Sequence, residues 1–463
     1  MSINSILSTA RDSLIVHQMG IAVTGGNISN ADTKGYTLQR VVQDSTSGAS
    51  VLGFAAQIGV KAAALERSYD TFIQSQIIGQ QQNSGYSSAL LYGLQTIENM
   101  IDETNGSGIS EAMSDFWASW ERLSENPNGT VERRLLILTA ENVATAFNNY
   151  QQNLQTISRD LNGNITTTID QVNRLSAEIA HINDQLYGIN SSKTGEQNLL
   201  LDKRDEAAKT LANLINANTV IDESGYMNVF LGNGVSLVQG VWGHTLTVQI
   251  DSVNNEVNIY STSFPGETVN DGITKGELGA YLDLKTEIIP EYARMMDEVA
   301  LAFAERVNEV HASGYDHYGN VGTEFYTLGD PTRAASTIKL NSVVAEDGKR
   351  IAASGSVNGD GNLASRMADI QNERLMHGGT ATLNSGLAAI VGHMGQQVLL
   401  ATQDNDRQAI AANHLFNQRE SVSGVSIDEE LIRLMKFQMG YSAAGKLAST
   451  ADEMFQTLLS IGR

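Results

Sequence analysis

The sequence predicts a mainly α-helical, elongated multi-domain rod with long coiled-coil-like helices, an inserted β module, and N- and C-terminal helices paired with each other. Three observations carry that expectation. Leu154, Ile157, Leu161, Ile165, Ile169, Val172, Leu175, Ile179, Ile182, Leu186 and Ile189 cover 35 positions in ten steps. A 3.5-residue repeat sustained that far keeps one seam of a long helix facing a partner. At about 1.5 Å per residue such a helix is roughly 50 Å long or more, which makes a rod and not a compact globule. Both ends of the chain show the same helical spacing, and residues 218–275 change to the two-residue period of strands.

At the N-terminus the apolar positions are Ile3, Leu7, Ala10, Leu14, Ile21 and Ile28, a 4-3-4 rhythm interrupted by His17 and Thr24. That narrow seam suits one partner helix rather than a broad core. Further helices are expected at 68–100, 109–123, 132–150, 154–189 and 198–216. Trp117 and Trp120, three residues apart, read as core anchors. In the β region, 226–231 and 235–238 flank Gly232-Asn233-Gly234, and Asn-Gly tolerates the positive φ of a type I′ turn. Segments 245–250 and 256–260 alternate like half-buried strands. Helices resume at 281–311 and 387–416. Between them, 313–385 is rich in Gly, Ser, Asn and Asp, so loops with short strands are expected.

The last helix opens at Ser426 with Glu429 three positions on, the pattern of a capping box. Its seam of Ile427, Leu431, Leu434, Phe437, Tyr441, Ala444, Ala448, Ala451, Phe455 and Leu458 spans 31 positions in nine steps. The division that follows is 1–40 with 420–463 as a terminal helical layer, 41–217 with 276–419 as a helical rod domain, and 218–275 as a β-rich outer module.

Composition narrows the chemistry. The 463 residues include 30 Lys and Arg against 52 Asp and Glu, a net charge of -22. That balance opposes sequence-independent nucleic-acid binding, which needs clustered cations. No run of 18 apolar residues exists, so no membrane span is expected. The absence of Cys excludes thiol catalysis, disulfides and Cys-ligated metals. The first residues lack a basic region and an apolar run, so a cleaved signal peptide is not expected. The eight His are scattered, and neither H-E-x-x-H, G-x-S-x-G nor a P-loop occurs. Asn358-Gly359-Asp360-Gly361-Asn362 lacks the ligand pattern of a calcium loop and reads as a turn. No catalytic, cofactor or metal residue is therefore assigned.

The remaining signal is in short motifs. Asn27-Ile28-Ser29-Asn30-Ala31-Asp32-Thr33-Lys34-Gly35-Tyr36 resembles the A-x-N-I-x-N-x-x-T-x-G-Y signature of bacterial flagellar axial proteins (rod, hook and hook-associated proteins). Gly25 or Gly26 stands where Ala or Ser is commoner. In such a motif Asn27 and Asn30 can bond local backbone as the helix ends, Thr33 and Gly35 shape the turn, and Tyr36 packs as an anchor. The stretch Ser423-Gly424-Val425-Ser426-Ile427-Asp428-Glu429-Glu430, with Phe437, Gln438 and Tyr441, is similar to the end of the hook–filament junction members. Leu201 to Asp205, Gly232 to Val238, and Gly314-Tyr315-Asp316 through Phe325 match interior elements in order.

The resemblance implies a structural axial protein without catalytic activity, forming the junction between hook and filament and needed for filament assembly. It implies about eleven copies of itself in the junction, contacts with hook protein and the second hook-associated protein, and handling by a flagellar export chaperone and the type III export apparatus. The location implied is extracellular, on the flagellum, after a transient cytoplasmic stage and without signal cleavage. Asn27, Ile28, Asn30, Thr33, Gly35 and Tyr36 become the axial signature. Ile427, Leu431, Leu434, Phe437, Tyr441, Phe455 and Leu458 become the assembly and chaperone helix. Larger members carry an extra outer domain after the Phe325 region, and the short 326–386 stretch implies a reduced or missing one. The alternatives are another axial protein (hook protein or second junction protein), or an adhesin or hydrolase domain on a helical stalk.

Overall fold

One helix, α4 (Thr130–Gly188), organises the computed structural model, which describes residues 3–47, 57–101, 108–189, 195–252, 254–357 and 359–461. At 59 residues it is about 90 Å long. The apolar spacing suggested two helices meeting near 151–153, but Gln151, Gln152 and Asn153 contain no breaker and the helix runs through them. Gln151 Nε2 donates to the Ala293 carbonyl at 2.9 Å, fixing that turn to its neighbour.

The two halves of α4 face different cores. The first half packs with α2 (Thr71–Ile101), α3 (Ile109–Glu125) and α7 (Ile289–Ala312) around Phe116, Trp117, Trp120, Phe147 and Phe303. Trp117 and Trp120 are the expected anchors, at 1% and 0% exposed. Their rings meet Phe303 and Phe325 at centroid distances of 5.6 Å each. The stretch expected to be loops and short strands is woven into this same core. It holds β10 (Tyr326–Leu328) paired with β11 (Ile338–Leu340), the helices α8 (Ala334–Thr337), α9 (Ser342–Glu346) and α10 (Asn362–Asp369), and the pair β12 (Arg374–Met376) and β13 (Ala381–Thr382). Phe325, Tyr326, Ile338, Ile351, Leu363 and Met367 are all buried there.

The second half of α4 packs with α5 (Gly195–Leu214) and α6 (Gly276–Asp283) against two small antiparallel sheets. One runs β3 (Asn218–Ile221), β4 (Met227–Phe230), β5 (Ser236–Gln239), β6 (Trp242–Gly243); the other runs β7 (Leu246–Ile250), β8 (Val257–Ser261), β9 (Phe264–Thr268). The β4–β5 hairpin stands where expected, with a different turn. Gly234 has φ +88 while Asn233 does not take positive φ. Leu231 N donates to Val235 O at 2.8 Å and Asn233 Oδ1 accepts from Val235 N, closing a three-residue loop rather than a type I′ pair.

The chain ends form a layer of their own. α1 (Ile3–Ser29) and α12 (Ile427–Ile461) pair antiparallel, from Asn27 opposite Glu430, through Gly20 against Phe437, to His17 against Gly440. A Cβ on Gly20 would lie 2.6 Å from the Phe437 ring, so this crossing is as close as glycine permits. A ribbon that sequence reading missed, β1 (Gln39–Ser47) with β2 (Gln57–Arg67), packs on α1. It occupies positions assigned above to the helical rod, because its bulged, mixed-polarity strands carry no clean alternation. α11 (Leu383–Ser423) runs along α2 and delivers the chain to α12.

Candidate functional site

The residues of the 27–36 motif close a joint between this terminal layer and the helical body. Asn27 is 1% exposed and uses its full side-chain bonding capacity. Its Nδ2 donates to Gln39 O at 2.9 Å and to Glu430 Oε2 at 2.8 Å. Its Oδ1 accepts from Gln39 N at 3.2 Å and from the Tyr36 hydroxyl at 2.9 Å. One amide thus fastens the end of α1 to the first strand, to the loop and to the start of α12. Asn30 caps the helix locally, with Nδ2 on Gly26 O at 2.9 Å, while Thr33 Oγ1 donates to Asn30 Oδ1 at 3.2 Å. Gly35 takes φ +81, and a Cβ there would meet Glu206 at 3.3 Å. Burial pushes the Tyr36 hydroxyl up to about 12, with Asp202 and Glu430 adding to it. Ile28 lies half-buried beside this cluster.

A second set of bonds ties the loop to the body. Asp202, on α5, accepts from Thr37 N at 3.1 Å, from Thr37 Oγ1 at 2.7 Å and from Arg67 at 2.9 Å. Arg67 also reaches Asp205 at 2.7 Å and lies over the Tyr69 ring at 4.0 Å. Burial works against its charge, but Asp205 and Asp202 hold it above the usual arginine range. From α11, Arg419 Nη2 donates to the carbonyls of Gly35 and Tyr36 at 3.1 and 2.8 Å. Leu38 N donates to Ser423 O at 2.9 Å. Asp202 and Asp205 belong to the 201–205 motif noted in the sequence, and Glu430 ends the 423–430 stretch; Arg67 and Arg419 carried no local signal that would single them out.

Beyond this joint, α12 is half empty. Glu430, Ala444 and Ala451 are buried at seven-residue intervals, and Phe437 continues the row half-buried against Gly20. Leu434 is also half-buried. Ile427, Leu431, Tyr441, Phe455 and Leu458 are exposed, with Met435 and Met439 beside them at 55% and 65%. Ile15 and Met19 of α1, and Leu399, Leu400 and Phe416 of α11, add exposed apolar surface. Exposed large apolar side chains in this number suit a surface that another molecule covers.

Among the described residues no group of three or more His, Asp or Glu is placed to hold a metal, and no helix is long and apolar enough to cross a membrane. His311, the most buried histidine, is structural: its Nδ1 faces Thr323 O at 2.5 Å and its Nε2 accepts from Ala352 N at 2.9 Å. Asp360 accepts from Gly355 N and Asn362 N in a turn; Asn358 lies outside the described residues.

Comparison with known proteins decides the family. The family described as flagellar hook-associated protein FlgK helical domain matches residues 94–326, half of the chain. This chain belongs to the FlgK family. The flagellar basal body rod FlgEFG protein C-terminal family matches residues 417–461, which include α12. Flagellar hook-associated protein 1 of Escherichia coli (strain K12) is 24% identical over 546 positions, covering 99% of this chain and 100% of that protein. Its counterpart in Bacillus subtilis (strain 168) is 26% identical over 501 positions, covering 98% and 97%. A solved structure of the flagellar hook junction protein FlgK from Burkholderia pseudomallei shares the fold, with TM-score 0.68 and 16% identity, covering 75% of this chain and all of that one. This FlgK-family chain is a structural flagellar protein of the hook–filament junction.

Proposed function

We infer that the protein acts by presenting a terminal layer that neighbouring copies complete. The exposed apolar side chains of α12, with those of the α1 helix paired to it, carry this reading. A lone chain has no use for so much uncovered Leu, Met and Phe, whereas a tube of repeated copies buries it. The signature residues Asn27, Ile28, Asn30, Thr33, Gly35 and Tyr36 set the angle at which that layer leaves the body. Ile427, Leu431, Leu434, Tyr441, Phe455 and Leu458 meet neighbours after assembly and a flagellar export chaperone before it, while Phe437 packs on Gly20 of the chain's own α1. About eleven copies close the junction, with hook protein on one side and the second hook-associated protein on the other.

The terminal layer is best drawn as 1–40 and 420–463 together with the β1–β2 ribbon, the remainder dividing between the helical body and the 218–275 β module. The 546-position alignment with the E. coli relative exceeds the 463 residues here, which supports a reduced outer region around 326–386. Delivery is by the type III export apparatus, unfolded, to the flagellum outside the cell. Zero Cys and four Pro support that route, since neither a disulfide nor slow isomerisation obstructs refolding at the far end. The test is removal of 427–463. The truncated chain should be soluble and helical yet unable to join filaments to hooks; a truncated chain that still joins them would overturn the reading.

A further inference from the structure

A half-open cleft of about 300 Å³ lies at the joint, between the signature loop, α2, α5 and α11. Three of its lining residues are cations, Lys34, Lys209 and Arg419, and Glu206 is the one acid among them. Ile77 and Phe416 supply apolar wall. In a chain of net charge -22 this is a local reversal of sign.

Glu206 does not satisfy all three cations. Lys34 Nζ reaches it at 2.8 Å, but Lys209 Nζ stands 3.7 Å away, outside hydrogen-bond range. Arg419 has only 7% of its side chain exposed and spends its terminal nitrogens on Glu420 and the loop carbonyls. Its Nε is buried with no acceptor among the described residues. Burial lowers the Lys209 pKa and Arg419 lowers it further, against the opposing pull of Glu206, Asp205 and Asp202.

We propose that this cleft binds a carboxylate carried on a compact apolar body, with the carboxylate on Lys209 Nζ and the apolar part against Ile77 and Phe416. A single negative charge fits better than a dianion, because Glu206 lies on the same wall. The volume is about twice that of a cavity that takes benzene, room for an acid the size of phenylpropanoate. The same chemistry can come from a free acid or from an Asp or Glu beside an apolar residue of a second copy. Either occupant would bridge loop, α5 and α11 and so steady the terminal layer on the body.

The experiment is calorimetric titration of the full-length monomer with 3-phenylpropanoate, using 3-phenylpropanamide as the uncharged control. The acid should bind saturably at one site and the amide should not. Lys209→Met should weaken the acid about tenfold or more, Lys209→Arg should restore it, and Phe416→Ala should weaken it with the charges intact. Absence of saturable binding, equal binding of the amide, or full affinity in a folded Lys209→Met variant would each overturn the proposal. If Lys209→Met does not fold, the acid–amide comparison and Phe416→Ala decide it alone. Repeating the titration on polymerised protein identifies the source: exclusion of the probe assigns the site to a neighbour's carboxylate, and undiminished binding assigns it to a free acid. The junction function is tested separately, by the 427–463 truncation.

Discussion

Replacing Asn27 by Ala probes the joint at its most connected residue. The change removes four hydrogen bonds of 2.8–3.2 Å and leaves Glu430, 2% exposed, without its amide donor. A neutral bond contributes about 1 kcal/mol and a bond to a buried carboxylate about 1.5–3 kcal/mol. Tyr36 is only half-buried and Arg433 stays 3.5 Å from Glu430, so some of this is recovered. A net loss of about 3 kcal/mol at the joint follows, equivalent to roughly a hundredfold in a local opening equilibrium. Native-state hydrogen exchange on the full-length monomer reads it directly. Amides flanking the joint in α1 and in the first turns of α12 should exchange about a hundredfold faster, while those of the Trp117 and Trp120 core are unmoved. Asn27→Asp should open the joint further, since it sets a second carboxylate against Glu430. If Asn27→Ala leaves exchange in α12 unchanged, Asn27 does not hold the layer and the account of the signature fails.

Other changes separate the joint, the core and the assembly face. Gly35→Ala forces a side chain into φ +81 beside Glu206 and should cost about 1–2 kcal/mol in thermal or urea unfolding; no loss would show that the turn relaxes freely. His311 is fully buried, and burial lowers its pKa from 6.5 to about 4. The unfolded chain therefore binds more protons between those values, so this contribution of about 3 kcal/mol is complete above about pH 6.5 and lost as pH falls toward 4. An NMR titration of its ring should find a midpoint well below 6; an ordinary midpoint would contradict the burial argument. Leu431→Glu with Leu458→Glu, both on exposed positions, should leave monomer stability within about 0.5 kcal/mol yet abolish polymer formation. Normal polymers from that double variant would remove α12 from the assembly face.

Much of this architecture was legible because it is periodic. The α4 heptads announced a rod, and only the supposed gap at 151–153 misled, since three polar residues interrupt a seam without breaking a helix. The pairing of the ends was legible in their narrow seams, but its depth depends on Gly20 meeting Phe437, a contact between positions 417 residues apart. The joint was half visible. Asn27, Thr33, Gly35 and Tyr36 stood out as a motif, while Glu430 was only the last residue of the 423–430 stretch, in a first turn where acids are common for their favourable effect on the helix dipole. In the structure it is the buried acceptor of Asn27. Arg67 with Asp202, and Arg419 with the Gly35 and Tyr36 carbonyls, join segments far apart in the chain, and no local pattern encodes such pairs. The β1–β2 ribbon escaped because its two bulges reset the alternation on which strand reading depends.

Cryo-electron microscopy of the hook–filament junction carrying this chain tests the central claim most directly. The account predicts α1 and α12 paired in a wall built from several copies, with Asn27 still bonded to Glu430 and with Leu431, Met439, Phe455 and Leu458 covered by neighbours. A map in which α12 leaves α1, or in which that apolar face looks into solvent, would contradict it.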